Sequence, residues 1–144
     1  MKVFFDTSVL VAAMVEAHPY HTRAFLWLRR SQSREMPFYI SSHTLAEAYA
    51  VLTTLPFSPR ISPGTAWRLL HENIMGKAHI VALSSADYRT VIRAASELGI
   101  SGGAIYDALI ARAARKAGAD KLLTFDVEDF AQVWPEGGGI IASP

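Results

Sequence analysis

The 144-residue sequence predicts an α/β fold, a three-layer α/β/α sandwich around a mostly parallel sheet of about five strands. Three observations carry this. Short β-branched or aromatic runs, KVFF, FYIS, HIVAL and KLLTF, recur along the chain. Between them lie longer stretches with helical periodicity and recognisable caps. Alternation of this kind gives a parallel sheet covered on both faces, its connections right-handed almost without exception. With no repeat, low-complexity tract or linker, residues 1–144 are expected to form one domain, long enough to bury about 68–70% of the unfolded surface.

KVFF (2–5) is followed by a polar break and is expected to be a buried strand. A helix runs from Ser8, its N-cap, to about Glu16. His18-Pro19 opens a second helix, with Pro19 at its first position, reaching about Arg34. Phe25, Leu26 and Leu28 alternate there with Arg23, Arg29, Arg30 and Arg34, an amphipathic pattern. FYIS (38–41) is the second strand and leads into a helix from about Thr44 to Leu55. The proline-rich PFSPRISPG (56–64) connects to a helix near 65–75. HIVAL (79–83) is the third strand, after which Ser84 to Asp87 caps a helix ending at Gly99. SGGAIYDALIARAARKAG holds the strongest helix, ending in Lys116 and stopped by Gly118. KLLTF (121–125) is the fourth strand, VEDFAQV a short helix, and GGIIA (138–142) the fifth strand.

Composition excludes several classes of protein. There is no cysteine, which rules out disulfides, zinc–thiolate sites and cysteine nucleophiles, and which fits a reducing cytoplasm. Lys2, the apolar run and the alanines after it imitate a signal peptide, but Asp6 interrupts the run early. No uncharged stretch approaches the roughly 18 residues of a membrane span. A soluble, unexported protein is expected. The net charge of +1 says little unless several of the 13 acids share one site. The remaining surface is then basic, which suits a polyanionic partner.

The acids do fall together. In open parallel sheets the functional edge lies at the carboxyl ends of the strands. Asp6 is the first residue after the first strand, and Glu47 stands in about the first turn of the helix after the second. Asp107 lies early in its helix behind Gly102-Gly103, and Asp126 directly follows the fourth strand. Plainer explanations exist for three of them. Glu47 stands three residues after Thr44 and suits a capping box. Asp107 is favoured near a helix N-terminus by the macrodipole, and Asp126 suits a turn. Asp6 resists such an explanation, because a carboxylate at a buried strand end needs a partner or a raised pKa. The Thr7 and Ser8 hydroxyls are the nearest donors. Several anions in one place repel unless a cation sits among them. Oxygen ligands without His or Cys point to Mg²⁺ or Mn²⁺, which activates water and offsets charge on a phosphoryl group.

Four segments carry a resemblance to a known family: FFDTSVLVA (4–12), SSHTLAEAYAVL (41–52), GGAIYDALIARAA (102–114) and LLTFDVEDF (122–130). Together they resemble a PIN domain, and within that family the VapC-type toxin ribonucleases. The resemblance implies a sheet ordered 3-2-1-4-5, an acidic Mg²⁺ or Mn²⁺ site, metal-dependent cleavage of RNA, a cognate antitoxin and a homodimer. The family's first three acids map onto Asp6, Glu47 and Asp107. The fourth maps onto Asp126 through the T-x-D pattern from Thr124, with Asp129 three residues on as the alternative.

Other classes fit less well. A haloacid-dehalogenase-type phosphatase wants a second Asp two residues after the first, and position 8 is Ser. A response-regulator receiver wants an acidic pair and a late Lys that are not evident. A PIN scaffold acting in RNA processing, or binding RNA or a partner without cleaving, is the remaining alternative. His18, His21 and His43 are expected in capping or surface roles. Tyr20, Phe25, Trp27, Tyr49 and Trp67 are expected mostly in the core, some lining an antitoxin groove as the resemblance implies. Arg112, Arg115 and Lys116 are expected to form a solvated helix end, as are the arginines of the second helix.

Overall fold

The computed structural model describes residues 1–33 and 35–144. In chain order the elements are β1 (Val3–Phe5), α1 (Thr7–Met14), α2 (His21–Gln32), β2 (Phe38–Ser41), α3 (Ser42–Thr54), α4 (Pro63–Asn73), β3 (His79–Val81), α5 (Ser85–Glu97), α6 (Ala104–Ala117), β4 (Lys121–Leu123), α7 (Val127–Val133), a 3₁₀ turn (Pro135–Gly137) and β5 (Ile141–Ala142). The five strands form one sheet in the order β3-β2-β1-β4-β5, and every pairing is parallel.

Alternation along β1 assembles the layers. Val3 and Phe5 face one side and Phe4 the other, and all three are fully buried. Phe5 joins Leu10 of α1, Leu28 of α2, Leu52 of α3 and Leu70 of α4 in one core. There it meets Phe38 edge to face, with ring centroids 5.4 Å apart. Phe4 enters a second core with Leu122, Ile110 and Ala114 of α6, and Phe130 of α7. Each large side chain buried in these cores contributes roughly 1.5–3 kcal/mol. Strand order reverses between β1 and β4, so the crevice at their carboxyl ends is the topological switch point.

Several boundaries differ from expectation, each for a local reason. The N-cap position of α1 is Asp6, not Ser8, since the Asp6 carbonyl already accepts the first helical amides. α2 begins at His21, leaving Pro19 outside it, and its expected end at Arg34 lies outside the described residues. α3 is capped by Ser41, whose Oγ accepts from the Thr44 N–H. β3 and β4 are two residues shorter than expected, so Asp126 is the third residue beyond β4 and stands at the N-cap position of α7. Ser84 and Asp87 form a reciprocal capping box on α5. Gly118 adopts the left-handed conformation (φ 65°) that ends α6. No helix among the described residues is long and apolar enough to cross a membrane.

Candidate active site

Asp6 leaves the buried end of β1, and its amide donates to the Leu123 carbonyl of the neighbouring strand at 3.0 Å. Its side chain is only 3% exposed. Ser8 Oγ and Thr124 Oγ1 donate to Asp6 Oδ2 at 2.7 and 2.9 Å. Burial pushes the Asp6 carboxyl above the ordinary range. The two hydroxyls and the Thr7 amide oppose that rise, and the Asp126 charge adds to it. The Thr7 hydroxyl does not serve Asp6 as expected. It points to Thr44 Oγ1, 3.4 Å away, because the first turn of α1 aims it at α3.

Thr124 ties the two switch-point loops together. Besides donating to Asp6, its hydroxyl accepts from the Asp126 amide at 2.9 Å, while the Phe125 amide donates to Ser8 Oγ at 3.2 Å. One fully buried threonine therefore sets the spacing of Asp6 and Asp126.

Asp6, Glu47, Asp107 and Asp126 line the floor of one cavity of about 400 Å³. Val11, Val51 and Leu55 form an aliphatic wall, and His18, Tyr20 and Phe125 an aromatic one. Asp107 lies in the first turn of α6. Burial pushes its carboxyl up to about 7, reinforced by the charges of Asp6, Glu47, Asp126 and Asp129. Asp126 is raised by burial and by Asp129 and Glu47. Asp129 thus acts on the cluster through its charge, while its side chain lines a separate shallow depression with Asp126 and Glu128. Among the described residues, no three His, Asp or Glu side chains stand close enough to grip an ion as they are. Mutually repelling carboxylates are expected to stand apart in this way.

Glu47 is in the second turn of α3, too far from the Ser41 cap to complete a capping box. Its partner is His43, one turn earlier, with Nε2 3.0 Å from Glu47 Oε2. The His43 ring stacks on Tyr106 at 5.0 Å and 3°. The capping or surface role expected of His43 gives way to a partnership with Glu47, for which the i, i+4 spacing is the sequence signal.

His18 keeps the capping role expected of it, its Nδ1 accepting from the Tyr20 amide at 3.1 Å, and it also lines the acidic cavity. Burial, followed by the His21 charge, lowers its pKa. Other expectations need correction. Phe25, Tyr49 and Trp67 are exposed rather than core, because their helices turn small residues such as Ala24, Ala48 and Ala66 inward, and Tyr20 is exposed in the turn before α2. Trp27 is half-buried beneath Arg30 and Lys121. Arg112 and Lys116 are not a solvated helix end: they donate to Asp87 Oδ1 at 3.1 Å and Oδ2 at 2.8 Å, joining α6 to α5. Arg115 lies over the Trp134 ring.

An all-parallel α/β sandwich with an acidic cavity at its switch point is a frame shared by a recognised group of proteins. The PIN domain family matches residues 3–133, and the chain belongs to that family. It is 36% identical over 115 residues to ribonuclease VapC27 of Mycobacterium tuberculosis, covering 80% of this chain and 78% of that one. Ribonuclease VapC40 of the same species is 37% identical over 122 residues, covering 85% and 84%. The fold is also similar to that of M. tuberculosis VapC20, described as a sarcin–ricin loop cleaving toxin. That match has a TM-score of 0.71 at 17% identity and covers 90% and 93% of the two chains. VapBC2 of Rickettsia felis, solved bound to a DNA fragment from its promoter, matches with a TM-score of 0.67 at 19% identity over 100% and 99%.

Proposed function

We propose that residues 1–144 form a single PIN nuclease domain acting as a metal-dependent endoribonuclease, the toxin of a type II toxin–antitoxin pair. One observation carries this reading: carboxylates from four distant segments share one cavity, where burial and their charges raise the Asp107 carboxyl to about 7. The relatives named ribonuclease VapC27 and VapC40 support RNA as the substrate. The VapBC2 neighbour supports a protein antitoxin as partner. A cytoplasmic homodimer completes the proposal.

The donor set suits Mg²⁺ or Mn²⁺, being oxygen-only and charged in excess of what the protein alone neutralises. Asp6, Glu47, Asp107 and Asp126 would hold the ion, with Asp129 adding charge from the flank. When bound, such an ion generates a hydrolytic nucleophile at neutral pH and offsets charge on the phosphoryl oxygens. The chain's own contribution is positional. Ser8 and Thr124 fix the Asp6 carboxylate. Thr124 sets Asp126 beside it. His43 steadies Glu47. Asp107, raised to about 7, holds or gives up its proton near neutrality and would ionise on serving as a ligand.

The test is cleavage of a mixed-sequence RNA. Mg²⁺ or Mn²⁺ should support it, EDTA should abolish it, and Asp6→Asn should lose it. Expression of the wild-type chain alone should arrest growth, and a co-expressed upstream neighbour should relieve the arrest. Undiminished cleavage in EDTA sinks the nuclease site, and harmless accumulation of the active enzyme sinks the toxin role.

A further inference from the structure

The acidic cavity has an aromatic wall that the carboxylate chemistry leaves unused. Tyr20, in the turn before α2, stacks on Phe125, in the loop after β4, with ring centroids 4.8 Å apart and planes 26° from parallel. The His18 ring lies 5.9 Å from that of Tyr20, tilted 46° to it. Arg23 braces the pair, its guanidinium carbon 5.7 Å from the Tyr20 centroid and 5.6 Å from that of Phe125. The guanidinium is itself held by hydrogen bonds to the Pro144 carbonyl oxygen at 3.2 and 2.6 Å and to Ser143 Oγ at 3.1 Å.

This arrangement is more than a patch of exposed rings. Phe125 stands between Thr124, which holds Asp6, and Asp126, and its amide is tied to Ser8. The wall is therefore fixed to the acidic floor by the same loop that positions two of the acids. Tyr20 is 47% exposed and opens into that cavity. A π-face backed by a cation beside a site for phosphodiester chemistry matches a nucleobase, which stacks on aromatic rings whatever its identity.

We propose that the Tyr20–Phe125 pair, braced by Arg23, is a stacking platform for the base of a nucleotide flanking the scissile phosphate. The inference rests on the ribonuclease reading and deepens it. An unpaired base stacks there and places its own phosphate over the carboxylates. A base held in a duplex cannot reach the ring, so the platform also selects unpaired nucleotides. Tyr20 acts here as a positioning residue through its ring, not its hydroxyl.

The test separates stacking from cleavage. Binding of a fluorescein-labelled ten-nucleotide oligoadenylate is compared by anisotropy, in EDTA, with that of an abasic ribose-phosphate chain of equal length. Full-length wild type and Tyr20→Phe should bind the oligoadenylate roughly 5- to 150-fold more tightly, and Tyr20→Leu should lose most of that preference. Thermal unfolding of each variant checks that the change is not one of folding. Equal binding of the two chains by wild type overturns the platform, as does a Tyr20→Leu protein that keeps the full preference. So does a Tyr20→Leu protein that keeps the preference and loses only a protein partner, which makes the wall a protein contact. Cleavage in Mn²⁺ is scored separately. A base preference that follows the ring supports the platform even where wild type leaves RNA intact, and then the nuclease reading alone falls.

Discussion

At the scale of single residues, burial and then the neighbouring carboxylates raise the Asp107 carboxyl to about 7 against an ordinary 3.8. Because the folded-state pKa lies above the unfolded one, the folded protein holds this proton more tightly. Stability from this group is greatest below pH 3.8, falls as pH rises from there to about 7, and stays low above it. Asp107→Asn removes the charge, and with it the penalty. The shift corresponds to at most about 4 kcal/mol, and water screening of a half-exposed carboxyl reduces this to about 1–2 kcal/mol. Without metal at pH 8, Asp107→Asn should therefore unfold several degrees above wild type, and the gap should close by pH 4. Differential scanning calorimetry in EDTA reads this directly. If the residue only complemented the helix dipole, the variant would instead lose about 0.3–1 kcal/mol.

At the scale of elements, the carboxyl-edge acids were legible because strand ends are legible. A short apolar run closed by Asp-Thr-Ser or Thr-x-Asp marks the point where a strand gives way to a helix, and Asp6 and Asp126 sit at such points. Helix starts were harder. Ser8 looked like a cap, yet its hydroxyl serves Asp6, and Ser41 rather than Thr44 caps α3. Local sequence offers several hydroxyls, and only tertiary contacts decide which one takes the amide. The Asp87 cluster was hidden for the same reason, since Arg112 and Lys116 come from 25 and 29 residues away. Lys116, the Ser84 amide and hydroxyl, and Arg112 hold the Asp87 carboxyl well below the ordinary range. A depressed pKa contributes stability above the unfolded value of 3.8 and loses it as pH falls further. Asp87→Ala should unfold at a lower temperature than wild type at pH 7, with the difference shrinking below about pH 4. RNA cleavage at permissive temperature should be retained, because the cluster lies away from the acidic cavity. A pH-independent difference would show that the Asp87 charge contributes nothing and that the side chain acts through packing alone.

At the scale of the whole molecule, alternating strands and helices were enough to give a parallel three-layer sandwich. The order 3-2-1-4-5 came with the family resemblance rather than from any single segment, and the sheet has it. Composition could not tell core from rim. Phe25, Tyr49 and Trp67 carry the hydrophobicity of core residues, and their exposure follows from helix rotation, which the whole packing sets. The architecture brings β1 and β4 side by side at the switch point, so that acids 120 positions apart share one cavity. Their mutual repulsion is what a bound cation would relieve, and the proposed function rests on that relief.

Calorimetric titration of Mn²⁺ into the metal-free protein near pH 7, in buffers of different ionisation enthalpy, tests this link most directly. The wild type should bind Mn²⁺ with release of part of a proton per ion, because Asp107 must ionise to serve as a ligand. Asp6→Asn, Glu47→Gln, Asp107→Asn and Asp126→Asn should each bind more weakly, and Asp107→Asn should release less proton than wild type. Wild-type affinity in Asp6→Asn or Asp107→Asn, or binding without proton release in wild type, would contradict a shared metal site built from these four carboxylates.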